Sequence, residues 1–367
     1  MKKFAFWNNK GGVGKSTLCF HTAAEYAKTH PSEMVLVIDV CPQANVSTMF
    51  LGGGTDNKGE DKLLELIDNS SGHSKTIVGY FADRLSTSPT NRPYTEYLIN
   101  PFENGNAAIP ENLYLLAGDG NLELVAPVLT ERAFTRATLP DEEPWLVIHN
   151  YLNEFLKGLQ GSFNNKEITV FLDTNPAFSI YTEIAISTAK ELLIPLNADD
   201  SSRQGFKALT SLIYGIGQLH PVWKRYNYSS YADDKGLERP KIKLLLGNRF
   251  TSYTSSSLTN KPTGTAKAFE RLNDTIIDTA YDIYKKNMSI FSTQQIETKE
   301  VFVSEFTHAI RDFNSAGVVS AFNGLPLGSL PDNQASYKIN NAGDKVQIEK
   351  DQRDKCRDSI RQIVQKL

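Results

Sequence analysis

Residues 8–17 read Asn-Asn-Lys-Gly-Gly-Val-Gly-Lys-Ser-Thr, and this run constrains the fold of the 367-residue chain more than any other. The closely spaced glycines let successive backbone N–H groups converge on one point without Cβ clashes, as a loop must to cradle phosphate oxygens. Lys15 then supplies a point charge for the β- and γ-phosphates, and the Ser16 hydroxyl supplies a ligand for Mg²⁺. The ordinary pattern needs glycine at position 9, where this chain has Asn9; it places a second lysine, Lys10, directly before the glycine pair. Phe4-Ala5-Phe6-Trp7 ahead of the loop reads as a buried strand, and Leu18–Ala27 behind it reads as a helix. The loop therefore opens a helix N-terminus, whose free N–H groups and dipole favour an anion.

Further apolar runs suggest the rest of the sheet: 34–39, 113–116, 168–173, 191–196 and 243–250. They alternate with helical patterns over 15–28, 121–136, 144–159, 201–219 and 266–286. That alternation predicts an α/β fold, a doubly wound, mostly parallel sheet with helices on both faces. Two of the runs end in carboxylates, Asp39 and Asp173, at the strand ends where open parallel sheets bind ligands. The landmarks run in one order from residue 4 to residue 327, so 1–367 reads as one domain with insertions at about 52–110, 139–165 and 219–240. Within the first insertion only 61–68 reads as helix, and 219–240 and 251–265 read as polar connections. The C-terminal stretch 348–367 places Cys356, Ile360, Ile363 and Val364 on one helix face, which predicts packing on the sheet.

The loop Lys10-Gly11-Gly12-Val13-Gly14-Lys15-Ser16-Thr17, preceded by Asn8, resembles the deviant Walker A of the ParA/MinD ATPases, and the likeness continues at later landmarks. It implies a P-loop NTPase of the SIMIBI type that uses ATP and Mg²⁺. Gly11, Gly12, Val13, Gly14, Lys15, Ser16 and Thr17 would surround the phosphates. Lys10 would cross a nucleotide-sandwich homodimer to the partner subunit's ATP, so Lys10, Lys15 and Asp39 form the expected catalytic set. Residues 34–45 are similar to the second strand and switch I, and 168–176 to the Walker B strand and its turn. The implied metal set is Ser16, Asp39 and Asp173. Asn248 resembles the asparagine that meets adenine, and Pro326, in Gly324-Leu325-Pro326-Leu327, the proline that lies against the base. An amide can pair with a base edge as donor and acceptor, and no Asp follows where guanine selectivity would need one.

Two departures stand out. The family's paired prolines after Walker B are Asn175-Pro176 here, and its Asp-x-Asp in switch I is Asp39-x-Cys41. A thiol with an ordinary pKa near ~8.5 is neutral at neutral pH and a poor hydrogen-bond acceptor. It cannot orient a water as a carboxylate does, and losing such a group commonly lowers rate by roughly 10²–10⁴. The sequence thus predicts slow hydrolysis with nucleotide binding and dimerisation intact; Gln43 and Asn45 are the other candidates for holding the water.

The net charge of −3 gives no general attraction to nucleic acid, but residues 203–249 hold nine Lys/Arg against three Asp/Glu. Together with the family resemblance, that imbalance and its interleaved tyrosines (226, 228, 231) suggest a non-specific DNA surface. Three scattered cysteines with no Cys-x-x-Cys spacing suggest a reducing, cytoplasmic setting, nucleoid-associated if DNA is bound. No apolar run is long enough for a membrane span, and the first strand leaves no room for a leader, so no membrane partner is expected. The leading reading is a ParA-like ATPase for DNA segregation or cargo positioning, triggered by a ParB-like or other partner. A scaffold or switch that binds ATP and barely hydrolyses it is the alternative, and a P-loop metabolic enzyme a third.

Overall fold

A computed structural model describes the chain except residues 69–72, 88–90, 137–142, 164–165, 198, 218–219, 251–263, 294, 333 and 335, and except the side chains of Arg249, Phe250 and 264–273. Seven parallel strands form the main sheet: β1 (Lys2–Phe6), β2 (Met34–Val40), β3 (Leu113–Leu116), β4 (Ile168–Thr174), β5 (Glu191–Asn197), β6 (Lys241–Phe250) and β7 (Thr307–Arg311). Their order is β3-β2-β4-β1-β5-β6-β7, which sets the strand leading into the glycine loop in the middle. A small antiparallel pair, β8 (Ser336–Lys338) and β9 (Lys345–Gln347), stands apart.

The central strands are buried along both faces, as parallel strands covered by helices must be. Side chains alternate: Leu36, Ile38 and Val40 enter one core, Val35 and Val37 the other. The first core is closed by helices Ile77–Leu85, Leu122–Phe134, Tyr151–Ser162, Ile180–Thr188 and Asp200–Tyr214. The second is closed by Lys15–Thr29, Asn45–Phe50, Asn314–Asn323 and Lys350–Gln365. Phe171 anchors it, stacked on Phe4 at 5.5 Å and edge-on to Tyr26 at 5.5 Å. The C-terminal helix buries Cys356, Ile360, Ile363 and Val364 there, as its apolar stripe predicts.

The structure departs from the sequence reading in several places. The 52–110 segment carries a second helix, Ile77–Leu85, capped by the Thr76 side chain and burying Tyr80 and Phe81 in the core. The 219–240 connection contains helix Tyr228–Asp234, whose Tyr228 and Ala232 are buried. The helix read as 144–159 is two, Pro144–His149 and Tyr151–Ser162, meeting at Asn150. The helix read as 201–219 stops at Tyr214 because Gly215 takes φ +68° and caps it. β7 has no apolar run because only Ile310 of its five residues is buried. The connection read as 251–265 and the apolar positions Phe269 and Leu272 lie largely outside the described residues.

Candidate functional site

The glycine loop leaves the centre of the sheet and opens helix Lys15–Thr29, at the strand ends where such sheets bind ligands. Gly12 and Gly14 take φ +71° and +87°, which only glycine adopts without strain. Gly14 has a second constraint: a Cβ there would lie 2.3 Å from Asn248 Nδ2. Asn248, at the tip of β6, donates to the Val13 carbonyl at 2.9 Å and so braces the loop from the neighbouring strand. A cavity of about 470 Å³ opens over Gly12, Gly14, Lys15, Ser16 and Thr17, and its far wall is Cys41, Gln43, Asn45, Thr174 and Pro176.

The two lysines leave the loop in opposite senses. Lys15 is 6% exposed and donates to the Asn8 and Lys10 carbonyls, each at 3.1 Å. Burial brings its pKa down to about 8, against the pull of Asp173. Lys10 points outward, and its ammonium lies 2.5 Å from Asp199 Oδ2. Asp199 also caps helix Asp200–Tyr214 through the Ser202 N–H at 2.7 Å. Against the upward push of burial, hydrogen bonds from Lys10, Ser201 and Ser202 hold its carboxyl at about 2. Asn8 sets the base of the loop, donating to the Pro195 carbonyl at 2.7 Å and accepting the Lys10 N–H at 3.0 Å.

Asp39 and Asp173 sit directly opposite each other across the β2–β4 pair, both fully buried. Their surroundings differ. Asp39 accepts from the Cys41 N–H at 3.0 Å, the Ser47 N–H at 3.1 Å and the Ser47 hydroxyl at 2.7 Å. Gly118 packs on the same carboxylate, where a Cβ would come within 2.8 Å of Asp39 Cγ. Neither oxygen of Asp173 has a hydrogen-bond partner of normal geometry, though the Ser16 hydroxyl and the Thr174 amide lie near enough to draw its pKa down. Burial, and then the charge of Asp39, push the Asp173 carboxyl well above the usual range; burial raises Asp39 too, opposed by its three hydrogen bonds. The Cys41 thiol is buried, and burial followed by the charges of Asp39 and Asp173 lifts it to about 12, so it stays neutral.

The structure thus brings Gly12, Gly14, Lys15, Ser16 and Thr17 around one cavity, with Asp39, Asp173 and Asn248 packed against it. Pro326 is not among the lining residues: it starts the turn Leu327–Ser329, whose Leu327 N–H donates to His21 Nδ1 at 3.3 Å, on the side of the loop helix. The strand end beside Asn248 is instead Arg311, followed by Asp312-Phe313-Asn314. Asn314 takes φ +43°, with its N–H on Asp312 Oδ1 at 3.0 Å, and Phe313 lies edge-on to His21 at 5.3 Å. Because β7 carries no apolar run, the sequence gives little warning of this corner. The sequence reading missed Asp199; an acid three residues before Ser202, after an apolar strand, is the N-cap signal that could have found it. Ser47 carries no such signal.

Among the described residues, three of the nine basic residues of 203–249 are paired with acids. Arg203 pairs with Asp200 at 2.8 Å, Lys235 with Glu143 at 2.9 Å, and Arg239 with Asp233. Tyr228 is buried against Ser187, and Tyr231 stacks on Trp145. Trp223, Lys224, Arg225 and Tyr226 remain exposed, whereas the Arg249 side chain lies outside the described residues. No helix among the described residues is long and apolar enough to cross a membrane.

A family model described as an AAA domain matches residues 1–221. A ParA family protein of Chlamydia pneumoniae is 26% identical over 223 residues, 60% of this chain and 69% of that protein. Among solved structures, McdA of Cyanothece, in an ATP complex of a point variant, aligns over 90% of each chain with TM-score 0.53 and 16% identity. A Borrelia burgdorferi protein described as a plasmid partition protein, bound to AMPPNP, aligns over 100% of this chain and 98% of its own, with TM-score 0.51 and 16% identity. The two structures share the fold, and the family match covers the loop, both carboxylate strands and the Lys10–Asp199 contact: this chain belongs to the ParA/MinD-like P-loop ATPases.

Proposed function

We propose that the chain is a ParA-like partition or positioning ATPase in which ATP closes a homodimer, with DNA as the surface bound in that state. The observation that carries this reading is the opposed placement of the two lysines, Lys15 buried under the loop and Lys10 turned outward to Asp199. Lys15 would exchange its two loop carbonyls for phosphate oxygens, and Lys10 would leave Asp199 for the partner's nucleotide. The donor set also fits Mg²⁺: Asp173 is a buried carboxylate whose oxygens lack hydrogen-bond partners of normal geometry, beside the Ser16 hydroxyl. Ser16 would ligate the ion, with Asp173 and Asp39 holding its waters. When bound, the cation neutralises charge developing on the transferred phosphoryl group. Asn248, with the Asp312–Asn314 corner beside it, would receive the base. The exposed Trp223–Tyr226 segment, together with the exposed Lys207 and Lys241, is the part of the basic stretch offered to DNA.

Cys41 favours a second reading, a switch that holds ATP with little turnover, because a neutral buried thiol cannot orient the attacking water. ATPase assays with and without duplex DNA test both. Lys15→Ala is expected to lose at least about tenfold in nucleotide affinity, the scale of a lost hydrogen bond to a charged group. Asp199→Asn is expected to free Lys10 and strengthen ATP-dependent self-association severalfold. DNA-independent turnover together with no DNA retention in the ATP state would remove the partition reading, and undiminished basal turnover would remove the switch reading.

A further inference from the structure

We propose that a second anion site, separate from the glycine loop, lies in a cleft of about 270 Å³ and takes a phosphate monoester with an apolar or aromatic body. Arg84, in the last turn of helix Ile77–Leu85, meets Arg132, in the last turn of helix Leu122–Phe134, and Arg136 just beyond it. The same lining includes the apolar side chains of Pro144, Val147 and Ile148, and Tyr151. Among the described residues no carboxylate lines the cleft. The larger cavity of about 630 Å³ elsewhere on the molecule balances its lysines, Lys28 and Lys166, with Glu33 and Glu111.

Arg84, Arg132 and Arg136 line one space, and among the described residues one carboxylate, Glu154, pairs with any of them. Arg84 pairs with Glu154 at 2.5 Å and lies 5.1 Å from the Tyr151 ring centroid. Arg132 and Arg136 have no ion pair among the described residues. Burial raises the Tyr151 hydroxyl, with Arg84 and Arg132 opposing that push and Glu154 adding to it. The C-terminal carbonyls of the two helices offset part of the repulsion but supply no counter-charge inside the cleft. Guanidinium forks match the oxygens of a phosphate bidentately, and a dianion is the smallest group that answers the two unpaired arginines at once. The apolar wall, with Val147 43% exposed, gives the ester's body a place that a bare inorganic anion would not use.

Calorimetric titration of the full chain with phenyl phosphate tests this, with inorganic phosphate as the anion-only arm. Phenyl phosphate should bind at least about tenfold tighter than inorganic phosphate, and equally well to wild type and Lys15→Ala. Arg136→Ala, at an exposed position without hydrogen bonds among the described residues, should weaken it by about tenfold. Arg132→Ala combined with Arg136→Ala should remove it, while ATP binding confirms that the variant is folded. No heat up to about 10 mM ligand, loss of binding in Lys15→Ala, or undiminished binding in Arg136→Ala would each overturn the site. Equal affinity for the ester and inorganic phosphate would overturn the ester as its ligand.

Discussion

Cys41→Asp should raise basal ATP turnover by roughly 10²-fold or more, the usual return on restoring a water-orienting group. Position 41 lies on the wall of the loop cavity facing Lys15 and Ser16, two residues past Asp39. The present thiol is held at about 12 by burial and by the neighbouring carboxylates, so no pH in the working range converts it into a charged acceptor. A carboxylate there would be the third in a buried cluster with Asp39 and Asp173. The variant should therefore be less stable than wild type without nucleotide and recover when Mg²⁺ and nucleotide bind. Cys41→Ser separates the chemistry from the packing, because a hydroxyl keeps the size without adding a charge; its turnover should stay within a few-fold of wild type. Steady-state phosphate release from the three proteins decides this. Equal rates for wild type and Cys41→Asp would mean that Gln43 or Asn45, on the same wall, already holds the water.

Asp173→Asn should act in opposite directions on stability and function. The Asp173 oxygens are buried with no hydrogen-bond partner of normal geometry, and burial raises the folded-state pKa well above its usual value. A raised carboxyl pKa favours the folded state while the group stays protonated. That contribution is full below about pH 4, the unfolded value, and is lost as pH rises toward the folded one. The amide removes this dependence, so the variant should gain roughly 1–3 kcal/mol over wild type, with the gain growing from pH 5 to pH 8. Mg²⁺-dependent activity should fall roughly 10–100-fold, as when an outer-shell ligand is lost. Thermal melts at several pH values and Mg²⁺-dependent ATPase rates read the two effects. A variant less stable than wild type at every pH would show that Asp173 has a structural partner in the folded chain.

Most of the sheet was legible because its central strands are buried on both faces and must be continuously apolar; Met34–Val40 and Ile168–Thr174 could hardly be anything else. The loop was legible because its glycines answer a backbone requirement that other residues do not meet. The β7 edge was not. Only Ile310 of Thr307–Arg311 is buried, so nothing in its composition separates it from a loop. Pro326, the expected base contact, is not in the lining of the loop cavity, and the strand beside β6 leads into Asp312–Asn314. Charge along the chain is likewise redistributed by folding. Residues 203–249 are basic in sequence, but folding pairs Arg203, Lys235 and Arg239 with acids, one of them, Glu143, far away in the chain. The Asp39–Ser47–Gly118 cluster joins three separate segments, and only the fold brings them together.

The central claim is that Lys10 leaves Asp199 to serve a second protomer once nucleotide fills the loop. Light scattering coupled to size exclusion, with Mg²⁺ and a non-hydrolysable ATP analogue at saturation, measures this directly on the 40.9 kDa chain. The account predicts a mass near twice that value for wild type, and the single-chain mass for Lys10→Ala although it still binds the analogue. Wild type that stays at the single-chain mass with analogue bound, or Lys10→Ala that doubles as readily, would contradict it.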